Sequence, residues 1–567
     1  MASLVRKKIR GHLYWYAVES ARVDGKPRIV WQKYLGKTED ILRRLEDADP
    51  ETETVVYEFG AVAAVLAVAE RLDLEAILNR SFPKRQQGLP IGRYLLLAAI
   101  NRIVAPTSKA KIGVWYQETV LYRLWGISAQ EFSSQRFWEA MDHVDAAGIR
   151  AAEDAVATAA VREFGIPVEG LIYDATNFFS YINTQTAAEL PQRGHNKQKR
   201  TDLRQINLAL MVSQDGHVPL LHEVYPGNVP DSREFAEVLP RLLERSRALA
   251  PAGDAATLVY DKGNYSAKNM AAIDAAQMHF VSSLVPAQHQ DLLEVPLARF
   301  AAVDEKRWPG LLGYRTAKKI AGVSRVILVT FNPNLRAGQL QGLHAQQAKI
   351  ERMLQALQTR LAVRAADSRP RGRRPTVESV QRAVGRLLRG RQIGTFLRCE
   401  IRADGQGVRL DYTWDHEAFA AWDDRTLGKT ILFSDHLDWG DVALVAAYRS
   451  QACIEDAFKQ WKDPHFVSWW PLFHWTDSKV RVHAFYCTLA LLLASLLLRE
   501  TRRHGVDGDF DHLMTTLAGI RGVLDLPRQG VGGRKGIRIR LSRTSPEQQK
   551  LLDLLRLERF QPTRPRA

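Results

Sequence analysis

Between residues 171 and 284 the chain sets out an order of elements that few folds accept. Leu171–Tyr173 is a short apolar run leading into Asp174. Asn207–Val212 and Val218–Tyr225 flank Gln214, Asp215 and Gly216 as the two arms of an antiparallel hairpin, and residues 231–248 carry a helical period. A second apolar run, Ala256–Tyr260, then delivers Asp261, and Met278–Leu284 supplies another strand. Three antiparallel strands, a crossover helix and further strands alternating with helices predict an α/β fold built on a mixed sheet.

On either side of this block the pattern changes. Residues 1–50 predict an N-terminal β-hairpin region, with His12–Val18 and Arg28–Leu35 alternating around the Asp24–Lys26 turn. Residues 51–165 read as a helical domain, from Ala61–Leu72 and Arg93–Val104 onward, with a DNA-binding role open to it beside that of a structural cap. The first part of the α/β core spans 166–285, and 286–440 is expected to be an insertion, because the pattern there mixes short strands with a long polar helix near 336–366. Within it Arg369, Arg371, Arg373, Arg374, Arg382, Arg386, Arg389 and Arg391 face one acid, Glu378, and Pro370–Pro375 reads as a basic linker. The core resumes over 441–500, and 501–567 forms a basic C-terminal region with a short strand at 537–541.

Charge narrows the partners. Lys and Arg outnumber Asp and Glu by 79 to 63, a formal charge of +16, which favours a polyanionic partner over the ordinary solubility of a basic protein. Cys399, Cys453 and Cys487 are too few and too scattered for a disulfide framework or a zinc site, which points to a reducing cytoplasm. The first ten residues lack a signal-peptide pattern. Val482–Leu498 is apolar but falls short of the roughly 20 residues a membrane span needs, so it reads as a buried helix.

Two aspartates that each close an apolar strand, joined by one acid further on, suit metal-dependent phosphodiester chemistry. Three carboxylates suffice for two divalent ions about 3.5–4 Å apart, and magnesium, a hard ion content with few protein ligands, is the natural occupant. The third acid is Glu455. A single helix through Ala447–Lys462 would place Tyr448, Gln451, Glu455, Lys459 and Lys462 on one polar stripe and Ile454, Ala457, Phe458 and Trp461 on an apolar face beside it.

At these residues the chain resembles a DDE transposase of a bacterial insertion sequence, in the insertion-sequence-four superfamily. The resemblance runs through most of the length and is strongest at Asp174–Asn177, Gly194–Leu208, Tyr225–Ser232, Asp261–Asn264, the Tyr448 helix and His474–His483. That superfamily carries a Tyr, Arg, Glu, Lys signature; Tyr448, Glu455 and Lys462 match it, whereas Gln451 stands at the Arg position. The resemblance implies an RNase H-like catalytic core interrupted by an insertion, Asp174, Asp261 and Glu455 as catalytic residues and ligands of Mg2+ (Mn2+ as a substitute), and cut-and-paste movement of DNA. It also implies a homodimer on double-stranded DNA, both the element's terminal inverted repeats and the target, in the bacterial cytoplasm at the nucleoid. Trp414, Trp422, Trp469 and Trp470 are aromatic candidates for receiving a flipped base, each more simply read as a packed tryptophan.

DNA contacts are expected from Tyr448, Gln451, Lys459 and Lys462, from Lys262 and Asn264 after the second aspartate, and from Lys197, Lys199, Arg200 and Arg204 in the basic loop joining the first strand to the hairpin. Two other functions compete: an inactive DNA-binding remnant of such an element, and a metal-dependent nuclease that does not join strands.

Overall fold

The computed structural model describes residues 2–23, 26–46, 52–83, 87–182, 185–196, 198–250, 256–366, 373–390, 392–404, 407–527 and 538–563. The chain divides into two compact units, one of residues 1–70, 107–138 and 500–567 and one of residues 71–106 and 139–499. The segment 51–165, expected to be one domain, is therefore shared between them.

In the first unit the predicted hairpin is present as His12–Val23 and Lys26–Gly36, its turn at Asp24 and Gly25 lying outside the described residues. A third strand, Ala2–Ile9, pairs with the first arm; its interleaved Arg6, Lys7 and Lys8 hid it from a hydropathy reading. A second sheet joins Thr52–Glu58 to Arg521–Pro527 and Arg538–Leu541. Thr52–Glu58 thus corrects the expectation of helix from residue 51. Val55, Val56 and Tyr57 have strand-forming side chains, but their partner lies hundreds of residues away and leaves no local signal. Arg528, Arg534 and Lys535 fall outside the described residues.

Nine strands of the second unit make one sheet: β1 (Gly170–Ser180), β2 (Arg204–Ser213), β3 (Pro219–Pro226), β4 (Thr257–Tyr260), β5 (His279–Leu284), β6 (Ala301–Ala302), β7 (Leu312–Ile320), β8 (Val323–Phe331) and β9 (Lys429–Ser434). Their spatial order is β6-β7-β8-β9-β5-β4-β1-β2-β3. β4 runs parallel to both β1 and β5, and every other neighbour pairs antiparallel. The predicted hairpin is β2 and β3, and the predicted crossover is α1 (Asp231–Leu249) between β3 and β4. From Gln205 to Ser213 every residue of β2 is buried, as a central strand covered on both faces must be.

The expected insertion is smaller than 286–440. β7 and β8 extend the sheet, and β8 pairs with β9 from Val326↔Ser434 to Phe331↔Lys429, so residues 312–331 belong to the core. What leaves the sheet is the stretch between β8 and β9. It holds α2 (Pro333–Ala366), a helix at Val377–Leu388, the hairpin of Leu397–Asp404 with Gly407–Trp414, and a helix at His416–Thr426. This part has its own apolar core of Ile350, Leu354, Leu361, Val380, Val384, Phe396, Val408 and Leu410, with Trp414 and Trp422 packed against it. Arg382 and Arg386 sit on its second helix rather than in a linker; Arg369, Arg371 and Arg391 are outside the described residues.

After β9 come α3 (Asp441–Arg449), α4 (Ala452–Lys462) and α5 (Asp477–Arg503). α5 contains the Val482–Leu498 run. It is long and apolar enough to cross a membrane, yet 89% of its apolar window is buried inside the structure, as expected of a core helix.

Candidate functional site

The first two acids are placed by strand register. Tyr173 of β1 pairs with Tyr260 of the parallel β4, so the next residues, Asp174 and Asp261, stand side by side at the carboxyl ends of this pairing. The expectation that Asp174 ends its strand needs correction: β1 continues to Ser180, paired with β2 as far as Ser180↔Arg204. Asp174 is nevertheless the first β1 residue freed on the β4 side, because β4 stops at Tyr260. Both aspartates are half-buried.

The third acid arrives differently. The expected single helix is two, α3 and α4, with Ser450 and Gln451 between them in helical dihedrals but tighter hydrogen bonding. Gln451 N donates to Tyr448 O at 3.2 Å, Cys453 N to Ser450 O at 3.1 Å and Ile454 N to Gln451 O at 3.2 Å, the three-residue step of a 3₁₀ turn. The Ser450 hydroxyl donates to Ala447 O at 2.6 Å and supports this tightening. Beyond it the apolar face holds as predicted, with Ile454, Phe458 and Trp461 buried. Glu455 is exposed in the first turn of α4, where the amide end of the helix favours an acid.

Tyr448 links the two arrangements. Its hydroxyl donates to Ser283 Oγ at 2.9 Å, near the end of β5, and lies 3.5 Å from Asp261 Oδ1. Burial pushes the phenol up to about 12; Ser283 opposes this, and the carboxylates of Asp261 and Glu455 add to it. Tyr173 is raised well above the usual phenol range, by burial first and then by Glu234, Asp231 and Asp174. Ser283 was missed in sequence; a Ser282–Ser283 pair closing an otherwise apolar strand was the available signal.

Lys462 Nζ donates to Thr176 Oγ1 at 2.8 Å and lies 5.5 Å from the Phe178 ring centroid, which sets the end of α4 alongside β1 two residues beyond Asp174. Lys459 is exposed and paired with Asp456 at 2.7 Å. Gln451 has a buried Nε2 without a hydrogen-bond partner. Lys262 is exposed in the 3₁₀ turn after Asp261, whereas Asn264 is buried and its backbone oxygen accepts from Asn269 Nδ2 at 2.9 Å. In the basic loop Lys199 is exposed and Lys197 lies outside the described residues. Arg200 grips Asp202 through two bonds of 2.8 and 2.7 Å, holding that acid down at about 2. Arg204 donates to Pro191 O at 3.1 Å. Among the described residues of this set, the side chains of Tyr448, Lys459, Lys462, Arg200 and Arg204 are engaged within the protein.

Among the aromatic candidates, Trp469 is fully buried and stacked on Phe178 at 4.2 Å. Exposed rings of the second unit include Tyr181, just past β1, and Phe473 and Trp475. Trp475 borders a cavity of ≈ 470 Å³ with Ile182, Gln185, Thr186 and Asp477.

Three carboxylates offer hard oxygen donors, the set that suits a magnesium-type ion. Asp174, Asp261 and Glu455 do not bring their ligand atoms within 4.8 Å of one another. A pair of ions about 3.5–4 Å apart tolerates a wider spread of ligands than one ion does, and like charges without a cation repel. The chemistry of the donor set suits such ions.

Two acids that directly follow the last pair of a parallel strand ladder are a placement common in α/β proteins, whose ligands bind beyond the carboxyl ends of parallel strands. Residues 169–493, more than half of the chain and including all three acids, match the family model described as Transposase DDE domain, and the chain belongs to that family. No curated protein matches it. A solved structure, the cryo-EM structure of a piggyBac transposase synaptic complex with hairpin DNA, aligns at a TM-score of 0.37 and 8% identity over 80% of this chain and 79% of that one.

Proposed function

We propose that this transposase-family protein cuts double-stranded DNA at the inverted ends of its own element and joins the freed ends to target DNA, a cut-and-paste reaction of the insertion-sequence-four type. In this reading it works as a homodimer in a bacterial cytoplasm, on the nucleoid. β3-β2-β1-β4-β5, three antiparallel strands followed by two parallel ones, are its RNase H-like core. Asp174, Asp261 and Glu455 would hold Mg2+, with Mn2+ as a substitute.

The observation that carries this reading is the Tyr173↔Tyr260 register, which sets Asp174 and Asp261 side by side, together with Tyr448 reaching from the Glu455 segment to Asp261. When bound, the ions would activate water and stabilise the oxygen that leaves phosphorus. Water attack breaks the P–O3′ bond and frees a 3′-hydroxyl; that hydroxyl then attacks a target phosphorus and displaces the target's own 3′ oxygen. The chain's part is orientation. Tyr448 holds Asp261 from the Ser283 side, Lys462 sits beside β1 near Asp174 to meet a phosphate, and the Trp461 face seats the helix that carries Glu455.

The test is a cleavage and joining assay on DNA carrying the inverted repeats that border the gene. Asp174→Asn, Asp261→Asn and Glu455→Gln should each lower both steps by on the order of 10³-fold or more, which is about 4 kcal/mol of barrier. Equal activity in wild type and Glu455→Gln would overturn the assignment. An inactive wild type would favour the remnant, and cleavage without joined products would favour the plain nuclease.

A further inference from the structure

At the other end of β4 and β5 from Asp261 and Ser283, two imidazoles and a carboxylate converge. His279 opens β5, and Asp435 and His436 directly follow β9, whose last residue, Ser434, pairs with Val281. One ligand atom from each of the three lies within 4.8 Å of the other two; among the described residues this is the group of His, Cys, Asp or Glu that closes so tightly. β5 separates it from Ser283 by four residues, about 13 Å of strand.

We propose that His279, Asp435 and His436 bind one zinc ion. Two imidazole nitrogens and one carboxylate oxygen form a donor set that suits zinc, with a fourth position left for water or another ligand. At a tetrahedral zinc, bonds of about 2.0–2.1 Å put ligand atoms roughly 3.3 Å apart. His279 Nδ1 and Asp435 Oδ2 stand 2.7 Å apart and need only open slightly.

The outer partners that a metal site needs are present. Thr257 Oγ1 lies 2.8 Å from His436 Nε2, so with that nitrogen turned to Thr257 the remaining ring nitrogen is Nδ1. Trp439 stacks on the His436 ring at 3.8 Å and fixes its plane. Phe280 N donates to Asp435 Oδ1 at 2.9 Å, which leaves Oδ2 as the ligand oxygen. His279 is 43% exposed, so an ion has a way in. A purely hydrogen-bonded knot explains the His279–Asp435 pair, but not why a second, buried imidazole is held 4.4 Å from the first by ring centroids. An ion here would tie β4, β5 and β9 together where the chain leaves the sheet after Ser434.

The full-length protein would be loaded with zinc sulfate, desalted and assayed for metal by mass spectrometry. Wild type and the double variant Asp174→Asn/Asp261→Asn should each retain about one zinc per chain, and His279→Gln and His436→Gln should lose it. Wild type retaining no more zinc than the histidine variants, or loss confined to the aspartate variant, overturns the proposal. If the histidine variants do not fold, cobalt(II) bound to the aspartate variant decides: tetrahedral visible absorption that zinc abolishes supports the site, and its absence overturns it.

Discussion

Asp174 and Asp261 are placed by a hydrogen-bonded ladder, Glu455 by the packing of one helix face, and the two devices differ in what they tolerate. A strand cannot slip by one residue without turning all its side chains over, so the aspartate pair is fixed as long as β1 and β4 pair at all. α4 is seated by Ile454, Phe458 and Trp461, and a 3₁₀ turn at Ser450 and Gln451 separates it from α3. The helix-borne half therefore rests on side-chain packing, which a single core substitution can loosen.

The change that should break this comparison most clearly is Trp461→Ala. Trp461 is fully buried, donates through its indole to Cys487 O at 3.3 Å and lies near Phe178 and Trp469. Its truncation should cost about 3 kcal/mol of stability in denaturant unfolding. Cleavage should fall further than that loss predicts at temperatures where the variant is still folded, because Glu455 loses its seat while the aspartates keep theirs. If cleavage per folded molecule is unchanged, helix packing does not position the third acid.

Tyr448→Phe separates the halves without emptying the core. The variant keeps the ring and removes the hydroxyl that reaches Ser283 and Asp261. Loss of an outer partner of this kind costs roughly 10–100-fold in metal affinity or rate, against about 1 kcal/mol of stability. A magnesium titration of the cleavage rate reads the first, and urea unfolding the second. A shift in stability alone would make Tyr448 a packing residue.

The ladder half was legible in the sequence and the helix half only in part. β1 to β5 follow from apolar runs, a Gln-Asp-Gly turn and one helical period, all of them local signals. The division of the Tyr448 helix was not legible, since Ser450 and Gln451 keep helical dihedrals and differ only in which carbonyl each amide reaches. The extent of the inserted part was misjudged for a related reason. Val326–Phe331 looks the same whether it pairs with a core strand or a local one, and its partner β9 returns about a hundred residues later. The burial of Asn264 was likewise not legible, since its polarity in the sequence suggested an exposed contact.

A smaller effect tests how negative the ladder half already is. Glu234 on α1 is raised to about 7, first by burial and then by Glu223 and Glu237, while Arg481 and Arg233 oppose the shift. Below pH 4.5 it is protonated in both folded and unfolded chains and contributes nothing. As pH rises from about 4.5 to 7 the unfolded chain ionises first, so stability falls across that window and levels off above it. Glu234→Gln should remove the fall: equal to wild type at pH 4, and about 1 kcal/mol more stable at pH 8 once screening of a partly exposed group is discounted. Thermal melts at the two pH values measure it. Parallel curves would mean that the local negative charge is already neutralised.

The last prediction concerns the residue where the signature and this chain part. Gln451 leaves a buried Nε2 without a partner at the turn between the two helices, so the site tolerates a donor but supplies no acceptor for it. Phosphate would be such an acceptor. Gln451→Arg should carry a guanidinium past the buried point toward solvent, since the longer stem can stay packed while the charged head hydrates. The charge should then add one phosphate contact, steepening the dependence of DNA binding on salt by about one unit of log K per log salt. Because the charged head stays hydrated, stability should change by less than about 1 kcal/mol. Fluorescence anisotropy across a salt series measures the slope. An unchanged slope with a marked loss of stability would show that the turn is too enclosed for a cation, and that Gln451 is there to relieve burial rather than to reach DNA.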